Sequence, residues 1–341
     1  GGWMAVVYVQ EQGAVIHKRG ERLLVTRDGV TLMDLPLLHI DQLVLVGNVQ
    51  LTTPAAAALL QREIDVVFLS QNYRFRGRLV GPGSRLAALR HAQLRPAQDP
   101  ARSIAIARWI VLGKLNNQRT LLQRWLRQSP SPEARRVLEE AIRGITLSSQ
   151  GASQAGDPDQ LRGFEGKAGG YYFGALRALL NPAWGFQGRA YYPPPDPFNA
   201  ALSFGYALLL KDMTASIQIV GLDPYIGFFH AVEYARPSLA LDLMEEFRPI
   251  LVDALVLRLI DQGKLTPRDF LSTGRSERPV ELRPEACERL IAAYEQRIHT
   301  RIHYPFTGEK TTYRRCLELQ ARQLARVLLG QQERYYPFAI R

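Results

Sequence analysis

Residues 94–103 read LRPAQDPARS, and the hydrophobic pattern changes on either side of them. Pro96 and Pro100 sit among polar residues, which is the composition of a break between folding units. Upstream the chain alternates and is rich in valine; downstream it follows helical spacing almost to its end. This stretch therefore predicts an α+β fold with a small N-terminal β-sheet domain over residues 4–92. A linker follows at 93–101, and a larger all-α domain at 102–341.

Working outward, residues 5–47 read as strands punctuated by turn signals at Arg19-Gly20 and Asp28-Gly29. Residues 52–63, TTPAAAALLQRE, predict one short helix with Pro54 at its start. After the buried-strand run IDVVFLS, residues 72–83 alternate, with Arg74, Arg76 and Arg78 on one side and Tyr73, Phe75 and Leu79 on the other. A charge-protected edge strand explains that arginine row, and phosphate contacts by Arg74 and Arg76 are the alternative. Past the break there is no acidic residue from Ala101 to Pro132, but there are Arg102, Arg108, Lys114, Arg119, Arg124 and Arg127. These do not share one helical stripe. Residues 148–160, SSQGASQAGDPDQ, read as a polar loop, and PPPDP at 193–197 as a rigid break.

The chain has 341 residues, 46% hydrophobic and 22% charged, as ordinary globular proteins are. Lys and Arg outnumber Asp and Glu by 43 to 32, for a net charge of +11. That excess favours a polyanionic partner, nucleic acid ahead of a membrane surface. Cys287 and Cys316 are far apart and form neither a zinc knuckle nor a disulfide framework. With no signal peptide and no membrane-length apolar run, a cytoplasmic location is expected. Phosphate-loop, dinucleotide-fingerprint and nucleophile-elbow motifs are absent from the sequence. His299 and His303 stand at i, i+4 but lack the glutamate of a metalloprotease motif, and read as a pair on a surface helix.

Residues 221–251, GLDPYIGFFHAVEYARPSLALDLMEEFRPIL, raise a sharper possibility. After Pro237, Leu239, Leu243 and Phe247 form an apolar stripe, with Ser238 as a candidate N-cap. Asp242 and Glu245, at i and i+3, point together away from that stripe. The loop AVEYARP at 231–237 could return the His230 imidazole over the start of this helix. Glu165, in GFEGKAGGYYFGAL, is a lone carboxylate among glycines at the start of a helical pattern. Glu165, His230 and Glu245 together would suit Mg²⁺ or Mn²⁺, with waters and substrate oxygens completing the sphere. A satisfied core histidine beside a solvated acidic helix remains the alternative.

GLDPYIGFFH followed by RPSLALDLMEEFRP resembles the spacer-acquisition integrase family of CRISPR systems, the CRISPR-associated endonucleases Cas1. VYVQEQGAVIHKRGERLLV, GFEGKAGGYYFGAL, NAALSFGYALL and YRRCLELQARQLARVLLG resemble further segments, so the likeness covers essentially everything after Met4. The resemblance implies that Glu165, His230 and Glu245 are the catalytic metal ligands and that Asp242 is a supporting acidic position. It makes Arg248 a basic position able to meet a phosphate, and places Tyr206 on a helix lining the site. It further implies pairing through the N-terminal domain into a homodimer, and a dimer of the companion protein Cas2 as partner. The substrates implied are double-stranded DNAs, a prespacer duplex and a CRISPR repeat, with no membrane partner. A bound metal would activate a 3′-hydroxyl, which attacks a repeat phosphodiester in one transesterification. The basic segment, Arg102, Arg108, Lys114 and Arg119 in particular, then reads as a phosphate track. A metal-dependent nuclease acting by hydrolysis, and a non-catalytic DNA-binding subunit, are the rival readings.

Overall fold

The computed structural model describes residues 5–71, 74–81, 86–128, 131–190, 193–230, 235–277 and 279–340. Met4, Tyr73 and residues 231–234 of the expected return loop lie outside them. Two compact units emerge: Gly1–His91 with Thr214–Leu222, and Ala92–Met213 with Asp223–Arg341.

The first unit carries β1 (Ala5–Val9), β2 (Val15–Arg19), β3 (Arg22–Arg27), β4 (Val30–Pro36), β5 (Ile40–Val46), β6 (Gln50–Leu51), α1 (Thr53–Gln61), β7 (Asp65–Leu69) and β8 (Phe75–Leu79). One sheet runs β1-β5-β7-β8, with the first three strands parallel and β8 antiparallel at the edge. The other runs β4-β3-β2-β6, with an antiparallel meander and β6 parallel to β2. The Asp28-Gly29 signal closes the β3–β4 hairpin: φ is 51° at Asp28 and 79° at Gly29, the doubly left-handed turn that matches strand twist. Ile16, Leu23, Val25, Leu43, Leu45 and Leu59 meet in its core. Arg74 and Arg76 are exposed at the edge. Arg78 instead is half-buried, 3.8 Å from Asp65.

The second unit is mostly helical. Its elements begin with α2 (Leu86–Ala97), α3 (Pro100–Gln128), α4 (Pro132–Gln154), α5 (Pro158–Leu179), α6 (Pro197–Val220) and α7 (Ser238–Met244). A π-helical turn (Arg248–Asp253) leads into α8 (Ala254–Asp261), and the β9–β10 hairpin (Phe270–Ser272, Val280–Leu282) precedes α9 (Pro284–Ile298). The β11–β12 hairpin (Arg301–His303, Lys310–Thr312) precedes α10 (Tyr313–Leu328). Helix α2 and the final turns of α6 each cross the division between the units.

Several local expectations change. The stretch expected as a linker is helical to Ala97 and again from Pro100, because Pro100 occupies the first position of α3, where its missing N–H costs nothing. The expected polar loop is mostly the end of α4. Gly144 and Gly151 are there for packing: a Cβ would come within 2.4 Å of the Tyr171 ring and 2.2 Å of the Phe164 ring. The break before α5 is short, and Asp157 caps that helix by accepting from Gln160 N at 2.8 Å. The two hairpins interrupt a region expected to be all helix. The second of them begins at Arg301, so His299, at the end of α9, and His303, on β11, share no helix face. No helix among the described residues is long and apolar enough to cross a membrane.

Candidate active site

The site lies in the second unit, around α7. Pro237, not Ser238, precedes its first residue as N-cap. Asp242 and Glu245 do leave the apolar stripe, but not toward solvent: they are 0% and 3% exposed. Burial of a carboxylate requires partners, and the residues just before α7 supply them. Asp242 Oδ2 accepts from Phe228 N at 2.6 Å and Phe229 N at 3.0 Å. Its Oδ1 accepts from His230 N at 2.9 Å and lies 2.6 Å from His230 Nδ1. A carboxylate only accepts, so Nδ1 carries a proton, and in the neutral imidazole Nε2 then keeps its lone pair. That lone-pair nitrogen is 4.0 Å from Glu245 Oε1.

The His230 loop is stapled from several directions. Gln93 holds Asp223 and Ile226 through three hydrogen bonds of 2.8–2.9 Å. Ser103 Oγ donates to Phe228 O at 3.1 Å, and Arg162 to Phe229 O at 3.4 Å. Gly227 is required by contact: a Cβ would stand 2.7 Å from both Asp242 Oδ2 and the Ser238 backbone.

Glu165, within α5 rather than at its start, joins the group through Lys114 of α3. The Lys114 ammonium is hydrogen-bonded to Glu165 Oε1 and lies 2.6 Å from Glu245 Oε2. The second contact is an ion pair by distance but is not aligned as a hydrogen bond. Arg248 approaches Glu245 Oε1 at 3.4 Å. Burial pushes the Glu245 pKa up, but the neighbouring cations, Arg248 and then Lys114, press it the other way, and it is held well below the ordinary carboxylate value.

Arg248 also lies over the Tyr206 ring, 4.8 Å from its centroid, with Arg189 at 5.3 Å. Tyr206 does not offer its hydroxyl to a ligand; it donates to Asp253 Oδ1 at 2.5 Å, while Tyr172 donates to Oδ2 at 2.9 Å. Burial raises the Asp253 pKa to about 6 despite those two hydrogen bonds. Behind Glu245, Glu246 is buried too, and accepts from Phe338 N, Tyr335 Oη and Gln320 Nε2 at 2.7–2.9 Å. Asn117 donates to Glu246 O at 2.8 Å and to Phe338 O at 2.6 Å, so residues 335–340 are strapped against the back of the site.

Of the expected site residues, Glu165, His230, Asp242, Glu245, Arg248 and Tyr206 come together. Lys114, expected on a phosphate track, is 7% exposed and turned into the carboxylates. Arg102 is exposed and 3.4 Å from Asp99; Arg108 and Arg119 are half-buried, and Arg119 donates to Asn116 Oδ1. Asn117, Glu246, Asp253 and the strap were not foreseen. Lys114, Asn117 and Gln118 recur at i, i+3, i+4 inside an apolar helix, and that spacing was the available signal.

Two carboxylates and an imidazole nitrogen are a donor set suited to a hard divalent cation. The unaligned buried oxygen of Glu245 is consistent with one. As they stand, no three His, Cys, Asp or Glu side chains among the described residues are close enough to hold a metal ion. The Lys114 ammonium stands at the junction of Glu165 and Glu245 instead.

The family model for CRISPR associated protein Cas1 matches residues 7–296. The chain belongs to the Cas1 family. The CRISPR-associated endonuclease Cas1 3 of Thermus thermophilus is 38% identical over 343 residues, covering 100% of this chain and 99% of that protein. Among solved structures, a casposase bound to integration product has a TM-score of 0.85 at 22% identity, covering 99% of this chain and 100% of that one. A chain of a partial Cas6-RT-Cas1–Cas2 complex has a TM-score of 0.76 at 24% identity, covering 99% and 98%. At those identities the structural likenesses are likenesses of fold, and they match a β-sheet unit followed by a mostly helical Cas1 unit.

Proposed function

We propose that this Cas1-family chain is a CRISPR-adaptation integrase, a metal-dependent DNA endonuclease that joins prespacer 3′-OH ends to the repeat of a CRISPR array. The observation that carries the reading is the buried Asp242, which accepts two hydrogen bonds from His230 and two from Phe228 N and Phe229 N just before it, so that Nε2 faces Glu245. A carboxylate behind an imidazole is the arrangement that orients a metal-ligating histidine. Glu165, His230 and Glu245 would hold the ion, Mg²⁺ or Mn²⁺ by donor type. When bound, such an ion neutralises phosphate charge and lowers the pKa of an attacking hydroxyl.

The chain's own groups do the rest. Asp242 orients the imidazole and keeps its proton on Nδ1. Arg248, braced on the Tyr206 ring, presents a guanidinium to a phosphate oxygen. Asp253 fixes that ring from behind through the Tyr206 hydroxyl. Phosphates farther along the duplex would be met by Arg102, Arg108 and Arg119, and by Arg74 and Arg76 of the first unit. Pairing through the N-terminal β-domain, residues 4–92, into a homodimer, and assembly with Cas2, complete the reading. The casposase likeness supports integration chemistry and the Cas1–Cas2 likeness supports the partner.

The test is strand transfer of a labelled 3′-OH duplex into a repeat-bearing supercoiled plasmid, with Cas2 and Mn²⁺. Joined product that is lost in His230→Ala is expected. Cut ends without joined product would favour hydrolysis, and joined product surviving in His230→Ala would refute the site.

A further inference from the structure

We propose that Lys114 is a resident counter-ion that competes with the divalent cation for Glu165 and Glu245, so that loading the site requires its ammonium to leave. This rests on the assignment of those two glutamates as ligands. The Lys114 side chain is 9% exposed, and the Glu165 and Glu245 side chains are 19% and 4% exposed. An ammonium held this far from water needs anionic partners, and a buried carboxylate beside a half-buried one needs a cation. Each therefore satisfies the other when no metal is bound.

Charge balance makes the two cations alternatives. Glu165, Glu245 and Asp242 carry three negative charges against the two positive charges of Lys114 and Arg248, so with a neutral imidazole the set stands at minus one. A divalent ion added to that set would turn its net charge from minus one to plus one in a buried space. Like charges at contact distance repel strongly there. Withdrawal of the ammonium returns the set to neutrality. The side chain has somewhere to go: Lys114 also lines an open groove with Gly166, Gly170, Phe173 and Arg189. A Cβ built on Gly166 or Gly170 would meet nothing within 4 Å, so that wall is clear. In the groove the ammonium would face the phosphate that the metal also serves.

The experiment is Mn²⁺ titration of the full chain by calorimetry, with melting temperatures taken with and without Mn²⁺. Wild type is compared with Lys114→Met, Lys114→Gln and Glu245→Gln. Removing the competing charge is expected to tighten Mn²⁺ binding on the order of tenfold or more. The Mn²⁺-induced rise in melting temperature should be larger in both Lys114 variants than in wild type. If either variant folds only with Mn²⁺ present, that dependence is itself the expected result, because unpaired glutamates then await the ion. Equal or weaker Mn²⁺ binding in both Lys114 variants, with binding still abolished by Glu245→Gln, would overturn the proposal and leave the metal site standing. Mn²⁺ binding unaffected by Glu245→Gln would remove the metal-site assignment itself.

Discussion

Asp242→Asn changes one atom, and its consequences can be counted. The carboxylate accepts four hydrogen bonds, two at each oxygen. An amide offers one oxygen and one NH₂, so two of the four donors must face another donor whichever way it turns. If the oxygen stays with Phe228 N and Phe229 N, the NH₂ faces both His230 N and Nδ1. The imidazole then deprotonates at Nδ1 to accept, and its proton moves to Nε2, the atom aimed at Glu245. If the amide turns over, the tautomer survives but the 228–229 backbone loses its anchor. A hydrogen bond to a charged group contributes about 1.5–3 kcal/mol, so the one bond lost in the first orientation costs about that much and the two lost in the second cost about 3–6 kcal/mol. Against a typical total of about 5–15 kcal/mol, that is a large fraction. Urea unfolding should show a clear fall in midpoint at unchanged slope. Joined product in strand transfer should fall about 10–100-fold, as for other supporting groups behind a ligating histidine. The ¹⁵N shifts of His230 separate the two amide orientations. Wild-type stability together with wild-type joining would refute the role assigned to Asp242.

Gly227→Ala places a Cβ 2.7 Å from Asp242 Oδ2 and from the Ser238 backbone, so the His230 loop must move. A loss of about 1–3 kcal/mol in unfolding free energy, with a matching loss of strand transfer, is expected; an unchanged melting temperature would show that the loop has slack. Asn117→Ala removes the two bonds it donates to Glu246 O and Phe338 O and the one it accepts from Ile340 N. Amide exchange of residues 335–340 should speed up by orders of magnitude while the first unit is unaffected, and retained protection of the strap would count against the clamp. Asp253 predicts a pH dependence. Its folded pKa is raised from 3.8 to about 6 by burial, so its contribution is fully present below the unfolded value and lost as pH rises through about 6. The fall is at most about 3 kcal/mol. Unfolding midpoints from pH 4 to 7 should therefore decline more steeply in wild type than in Asp253→Asn, and parallel profiles would refute it.

The elements legible in the sequence were those with a local cause. The Asp28-Gly29 turn could be read because the φ values it needs are available to those two residues at little cost. The α7 stripe could be read because Leu239, Leu243 and Phe247 recur at helical spacing and are all buried. Pro100 misled because a proline that opens a helix and one that ends a helix look alike until the partner element is known. Gly151, within the stretch expected as a polar loop, misled for the same reason: it answers Phe164 of the next helix, and nothing in its own neighbourhood says so. The site divides along the same line. His230 and Asp242 lie within one short segment, so their meeting was foreseeable, whereas Glu165 entered mainly through likeness to a family. Lys114 is the instructive error. A run of six basic residues without an acid reads as an outward electrostatic surface, but charge sign does not determine which way a side chain points. Burial is set by the helix face, and Lys114 shares its face with Asn117, Gln118 and Leu121, all buried. Polar side chains at i, i+3, i+4 on the buried face of a helix must find polar partners inside the protein. On that reasoning the excess of basic residues and the carboxylates proposed as metal ligands are not separate features: one lysine of the basic helix is the cation that Glu165 and Glu245 hold.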